Sequence, residues 1–240
     1  MFPKQNFKLK ESSTSITKPV TKFGGQPIWI NTPQWPLYTY STKPQKMLFM
    51  GQIVLDVALF SGSEEMIAYI FFWEEGEPLS EEQMVIVLQT QNDSHLNKPL
   101  SSDLDIIAFE EDITGPTVFE LDAKHQKMLK EYQVLLEPLQ MEDKLSLGKH
   151  LKYTWNDDPP HYSFIDTKLG GNKIGGQPVF FSTTYPKPYN PDEWYLLLQM
   201  MPKKENCYSF PFFIGVYPLS IIQIFVSKDF KKTVAVFPTI

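Results

Sequence analysis

Four glutamines are the residues of this chain whose type and spacing first invite a chemical reading. Gln26 and Gln177 sit in near-identical octets, Lys22-Phe23-Gly24-Gly25-Gln26-Pro27-Ile28-Trp29 and Lys173-Ile174-Gly175-Gly176-Gln177-Pro178-Val179-Phe180, 151 positions apart. Gln52 and Gln199 lie in the apolar runs downstream, 48–53 and 196–200. A carboxamide carries donors and an acceptor, so four of them around a cleft between two halves could read a small ligand. A buried amide must also be bonded, and an irregular Gly-Gly turn leaves backbone groups needing partners, so a structural clamp accounts for the same residues. Lys22 and Lys173 precede the glycines equivalently, but the Gly-Lys-Ser/Thr ending of a phosphate-binding loop is absent.

Other chemistry is thinly provided. The histidines are His95, His125, His150 and His161, with no His-Glu-x-x-His and no i, i+4 pair. Asp157, Asp158 and His161, separated by Pro159-Pro160, match no metal-ligand spacing. Cys207 follows Lys203 and Lys204, which favour a thiolate, yet no histidine adjoins it in sequence. There is no Gly-x-Ser-x-Gly elbow. The expectation is a protein that is not an enzyme, with no catalytic residue, no metal and no cofactor.

Charge is the second signal. Residues 61–120 carry one lysine against 14 acids, concentrated in Glu74, Glu75, Glu77, Glu81 and Glu82 and again in Glu110, Glu111 and Asp112. Such a block either solvates a surface or presents a complementary face to a basic protein, since complementary charge speeds encounter and fixes orientation. It argues against nucleic acid as a partner there. All 22 basic residues are lysine, so no guanidinium is available for bidentate grip on phosphate. The acidic segment has no counterpart after the second octet, and its eight named acids are the candidate partner-binding residues.

The elements that position these groups follow from the repeat and from apolar patterning. Gly24-Gly25-Gln26-Pro27 predicts a tight turn entering a strand at 28–30, then a proline-aromatic loop over 31–46. Strands are expected at 48–60, 66–73, 84–89 and 106–109, and in the second copy at 179–181, 194–201, 210–216, 221–226 and 233–237. Met128, Leu129, Tyr132, Leu135, Leu136 and Leu139 recur at i, i+3 or i+4 after a possible cap at Asp122, which predicts one amphipathic helix limited by Pro138, with a shorter one over 145–150. The organisation expected is a polar extended lead-in over 1–20, a first repeat over 21–120, a helical bridge over 121–150 and a second repeat over 151–240. Its class is α+β, predominantly antiparallel β, two-lobed and compact.

With 42% hydrophobic and 21% charged residues the composition is that of a soluble globular protein, and no apolar run reaches the length of a membrane span. Residues 1–8 show no secretory signal, and a single cysteine rules out an internal disulfide framework. Both fit the cytoplasm.

The two Gly-Gly-Gln-Pro octets, Trp35-Pro36, Leu48-Phe49-Met50-Gly51-Gln52-Ile53, the Phe71-Phe72 strand and Leu196-Leu197-Leu198-Gln199 together resemble the bacterial YwqG-like family, over roughly residues 20–240. That resemblance implies a duplicated β-rich α+β fold without an established catalytic site. It also implies, for some members, immunity against secreted polymorphic toxins encoded beside them. The 35–47 loop departs from the pattern of many members in carrying no cysteine, so no metal or redox role is expected of it. The functional expectation is an immunity or interaction protein that binds a cognate toxin domain and occludes its active site. The alternative is a small-ligand module or an enzyme with its site between the repeats near Gln26, Gln52, Gln177 and Gln199.

Overall fold

The computed structural model describes residues 1–39, 43–63, 66–73, 84–91, 108–121, 124–144, 169–179, 189–201 and 221–237. They form strands β1 (Phe2–Glu11), β2 (Lys22–Gly24), β3 (Trp35–Tyr38), β4 (Gln45–Lys46), β5 (Leu48–Val54), β6 (Met66–Phe72), β7 (Met84–Thr90) and β8 (Ala108–Glu110). These are followed by β9 (Phe119–Leu121), β10 (Lys127–Leu129), β11 (Glu131–Leu136), β12 (Gln140–Glu142), β13 (Lys173–Gly175), β14 (Trp194–Met200), β15 (Ile222–Ser227) and β16 (Thr233–Val236). One antiparallel sheet runs β16-β15-β14-β13-β1-β11-β2-β5-β6-β7, with β12 also paired to β1. A three-stranded sheet, β4-β3-β8, and the β9–β10 pair complete the described elements.

The main sheet carries the sequence repeat as a pseudo-twofold. Outward from the central β1–β11 pair, β13, β14, β15 and β16 on one side answer β2, β5, β6 and β7 on the other. Even the irregularities correspond: the register shifts between Phe49 and Gly51 in β5 and between Leu196 and Leu198 in β14, each 147 positions from its equivalent. A bulge re-aims the side chains that follow it, here Gln52 and Gln199.

Both faces of the sheet are covered at β6, β7 and β15. In β6 every residue is buried: Ala68, Ile70 and Phe72 enter one core, while Ile67, Tyr69 and Phe71 enter another on the opposite face. A strand buried on both sides reads as a continuous apolar run rather than an alternating one. The first core is common to the two halves, containing Phe23, Met50 and Ile70 from one and Leu198, Ile222 and Ile224 from the other. Phe60 meets Tyr195 across it edge-on, with ring centroids 5.6 Å apart. Each buried side chain of this size contributes about 1.5–3 kcal/mol, which makes the shared core the main bond between the halves. The opposite face is divided, with Trp35, Phe49 and Phe71 over the first half and Trp194, Leu196 and Phe225 over the second.

Several expectations are corrected. Among the described residues there is no helix, and the segment expected to be one is β10, β11 and β12. The alternation that governs β11 is Tyr132 and Val134 inward, Gln133 and Leu135 outward, against β1 on one side and β2 on the other. Pro138 separates two strands rather than ending a helix. Residues 1–20, expected as a polar extended lead-in, contribute β1, which is central to the sheet, and Phe7, which is buried in the shared core. Residues 28–30 form no strand, because the backbone of Ile28 is held by side chains. Trp35–Tyr38, expected to be loop, is β3, and β5 ends at Val54 before a turn in which the Asp56 carboxylate accepts the Ala58 amide. The expected elements at 145–150 and 210–216 lie outside the described residues, as do Asp157, Asp158, His161 and Cys207.

Candidate functional site

Gln52 and Gln199 lie in cross-strand rows on the sheet face opposite the shared core. Lys22, Gln52 and Tyr69 stand side by side on β2, β5 and β6, and Lys173, Gln199 and Gln223 on β13, β14 and β15. Each row grips the end of its own octet. Gln52 accepts the Ile28 amide at 2.8 Å while the Tyr69 hydroxyl donates to the Ile28 carbonyl at 2.9 Å. In the second half Gln199 accepts the Val179 amide at 2.8 Å and Gln223 donates to the Val179 carbonyl at 2.6 Å. The other end of each glutamine reaches back to the chain before the octet, Gln52 to the Val20 carbonyl and Gln199 to those of Leu169 and Gly171. The side chains replace a missing strand as hydrogen-bond partners, as buried backbone groups require.

The Gly-Gly turns follow the same duplication, with one change of charge. Gly24, Gly25, Gly175 and Gly176 all have positive φ, and a Cβ on Gly25 or Gly176 would strike a carboxylate, that of Glu131 or of Glu142. Glu131 lies opposite Gly24 on β11; it binds the buried Lys22 ammonium and accepts the Ile16 amide at 2.9 Å. In the second half the position opposite Gly175 is Lys4, and the carboxylate comes instead from Glu142 on β12. Glu142 accepts from Lys4 at 3.0 Å, from the fully buried Lys173 at 3.3 Å and from the Gln177 amide at 2.6 Å. Burial pushes the Lys173 ammonium down to about 8, with Glu142 opposing the shift and Lys4 adding to it. Burial likewise raises the Tyr69 hydroxyl.

The acidic segment is where the halves differ most plainly among the described residues. Gln26 does not answer Gln177 in its partners: its amide donates to the Gly115 carbonyl at 2.9 Å and accepts the Gly115 amide at 3.0 Å, whereas Gln177 donates to the Asp143 carbonyl. The first octet therefore anchors the stretch that carries Glu110, Glu111 and Asp112. These three acids are exposed at the end of β8, which pairs with β3 through Trp35–Glu110 and Pro36–Phe109. Lys46 on β4 binds the Asp112 carboxylate and lies 3.7 Å from Glu110, holding the Asp112 carboxyl below its usual range. Trp29 donates from its indole to the Ile113 carbonyl at 3.2 Å, and Ile113 is 68% exposed. The result is an acidic lip on an aromatic base, with partly exposed Trp29 and Phe109 beside it.

Glu74, Glu75, Glu77, Glu81 and Glu82 lie outside the described residues. Among the described residues no three His, Cys, Asp or Glu side chains converge in a way that could hold a metal ion. Residues that sequence reasoning passed over include Glu131, Glu142, Tyr69 and Gln223. For Gln223 a signal existed, a lone glutamine inside the apolar run 221–226, as with Gln52 and Gln199. Glu131 and Glu142 gave none, since both fall outside the repeats. No protein-family model matches the chain and no curated protein matches it in sequence, so the likeness to the YwqG-like family rests on the motifs quoted above.

Proposed function

We propose that this chain is an interaction protein that binds and neutralises a toxin domain, with a basic surface, by covering its active site. The observation that supports this reading is the lip at Glu110, Glu111 and Asp112, exposed yet anchored by Gln26, Trp29 and Lys46. An acidic surface that is merely solvating needs no such anchoring. Fixed charges beside partly exposed aromatics supply the two components of a protein interface, electrostatic steering and apolar anchors. Inhibition by occlusion asks nothing of the chain in the way of catalysis, and all four glutamines of the alternative cleft already bond to backbone groups. Coexpression with a toxin domain encoded beside its gene tests the proposal. Restored growth and a copurifying complex are expected, and killing undiminished by coexpression would refute it.

A further inference from the structure

The two Gly-Gly turns are built on the same plan but are not electrically equivalent. In the first half one buried ammonium, Lys22, meets one carboxylate, Glu131. In the second, two ammoniums, Lys4 and Lys173, converge on the same oxygen of Glu142, whose side chain is only 6% exposed. Among the described residues Glu142 is the carboxylate that both ammoniums reach, so this cluster carries a surplus positive charge away from water. The remaining neighbours of Lys173 along the sheet are neutral, Asn6 on β1 and Gln199 on β14. A surplus buried charge is costly, and the cheapest relief is to shed a proton. Lys173, fully buried, is the member that sheds it, while Lys4, at 13% side-chain exposure, keeps contact with solvent.

We propose that the Lys4–Glu142–Lys173 cluster is a proton-linked joint, in which loss of one proton from Lys173 tightens the attachment of β12 and the Gly175–Gly176 turn to the second half. Glu142 is the hub: through β12 it lies opposite Phe2 of β1, and its second oxygen receives the Gln177 amide that closes the turn. With both lysines charged, the carboxylate is shared. With Lys173 neutral, the Lys4 pair and the Gln177 bond keep it undivided. The sign follows from linkage. The folded state holds the Lys173 ammonium near 8 against an ordinary value of 10.5, so between those values the folded chain binds fewer protons than the unfolded one. Local opening of the joint, which returns Lys173 to water, therefore becomes costlier as pH rises across that window, and the full penalty is felt below it.

The molecule contains its own control, because the Ile16 amide is bonded to Glu131 as the Gln177 amide is to Glu142. Amide exchange on the full chain, corrected for intrinsic rates, is to be followed from pH 7 to 9.5 at both positions. Protection of Gln177 is expected to rise about thirtyfold, since the span from 8 to 9.5 is about 1.5 pKa units, while that of Ile16 stays level. In Lys173→Met the rise should vanish, with Gln177 as well protected at pH 7 as in the parent at pH 9.5. Should that variant fail to fold, NMR titration of the Lys173 ε-methylene in the parent decides instead, and a midpoint at or above 10 overturns the joint. Parallel behaviour of the two amides, or a pH-dependent rise that survives in Lys173→Met, overturns it as well.

Discussion

Lys22 and Lys173 occupy equivalent places in the two octets, yet their removal should have unlike consequences. Lys22→Met strands Glu131, a mostly buried carboxylate, with a backbone amide and no cation, and is expected to destabilise the fold by about 3 kcal/mol, as breaking a buried pair does. Lys173→Met leaves Glu142 its Lys4 partner and removes the surplus buried charge, so it should be neutral or stabilising by about 1–2 kcal/mol. Urea midpoints of the two variants at pH 7 compare them directly. Gln52→Leu and Gln199→Leu each orphan the backbone groups of two segments and should each cost about 2 kcal/mol by the same assay. At this scale the sequence was informative in part. The lysines and glutamines were legible because the octet repeats them, and the satisfaction requirement pointed to a clamp as one of their two readings. Their carboxylates were not, because one comes from the adjacent strand and the other from the strand beyond, and no repeat marks either.

Among the elements, β11 and β12 are the ones whose nature the sequence concealed. Apolar residues at 128, 129, 132, 135, 136 and 139 satisfy a helical period, but only Tyr132 is buried among them, and Val134, which the helical pattern omits, packs inward. The exposed Leu135, Leu136, Leu139 and Met141 lie at the end of β11, in the connection past Pro138 and in β12, where alternation accounts for Tyr132, Gln133, Val134 and Leu135 but not for Leu136. Exposed apolar strands of this kind invite association with other chains. Leu135→Lys together with Met141→Lys should leave the unfolding midpoint within about 0.5 kcal/mol of the parent, as surface changes do, while slowing aggregation on heating, measured by light scattering. β1 was more legible than its reading as a polar lead-in allowed. Phe7-Lys8-Leu9-Lys10 alternates strictly, the signature of a strand with one buried face.

For the whole molecule, the antiparallel β character and the duplication were open to reading, since 66–72, 84–90 and 222–227 are compact apolar runs and the octets mark their own correspondence. The way the halves are joined was not. β1 pairs with β13, some 170 positions away in the chain, and with β11 on its other side, so the N-terminal strand is part of the seam. Pairing over that separation leaves no local trace. Deleting residues 1–12 should abolish cooperative unfolding of the entire chain, as followed by tryptophan fluorescence in urea, because it removes the strand that links both halves and exposes their common core. The duplicated frame thus holds an unduplicated feature, the acidic lip anchored by Gln26, and it is there that we propose partner binding. The most direct test is the association rate with a basic toxin domain of the kind proposed as partner, measured by stopped flow over a range of salt. For the parent the rate should fall steeply as salt rises, and in Glu110→Lys/Glu111→Lys/Asp112→Lys it should be about tenfold slower at low salt and nearly flat. Equal rates and equal salt dependence in parent and variant would contradict the account.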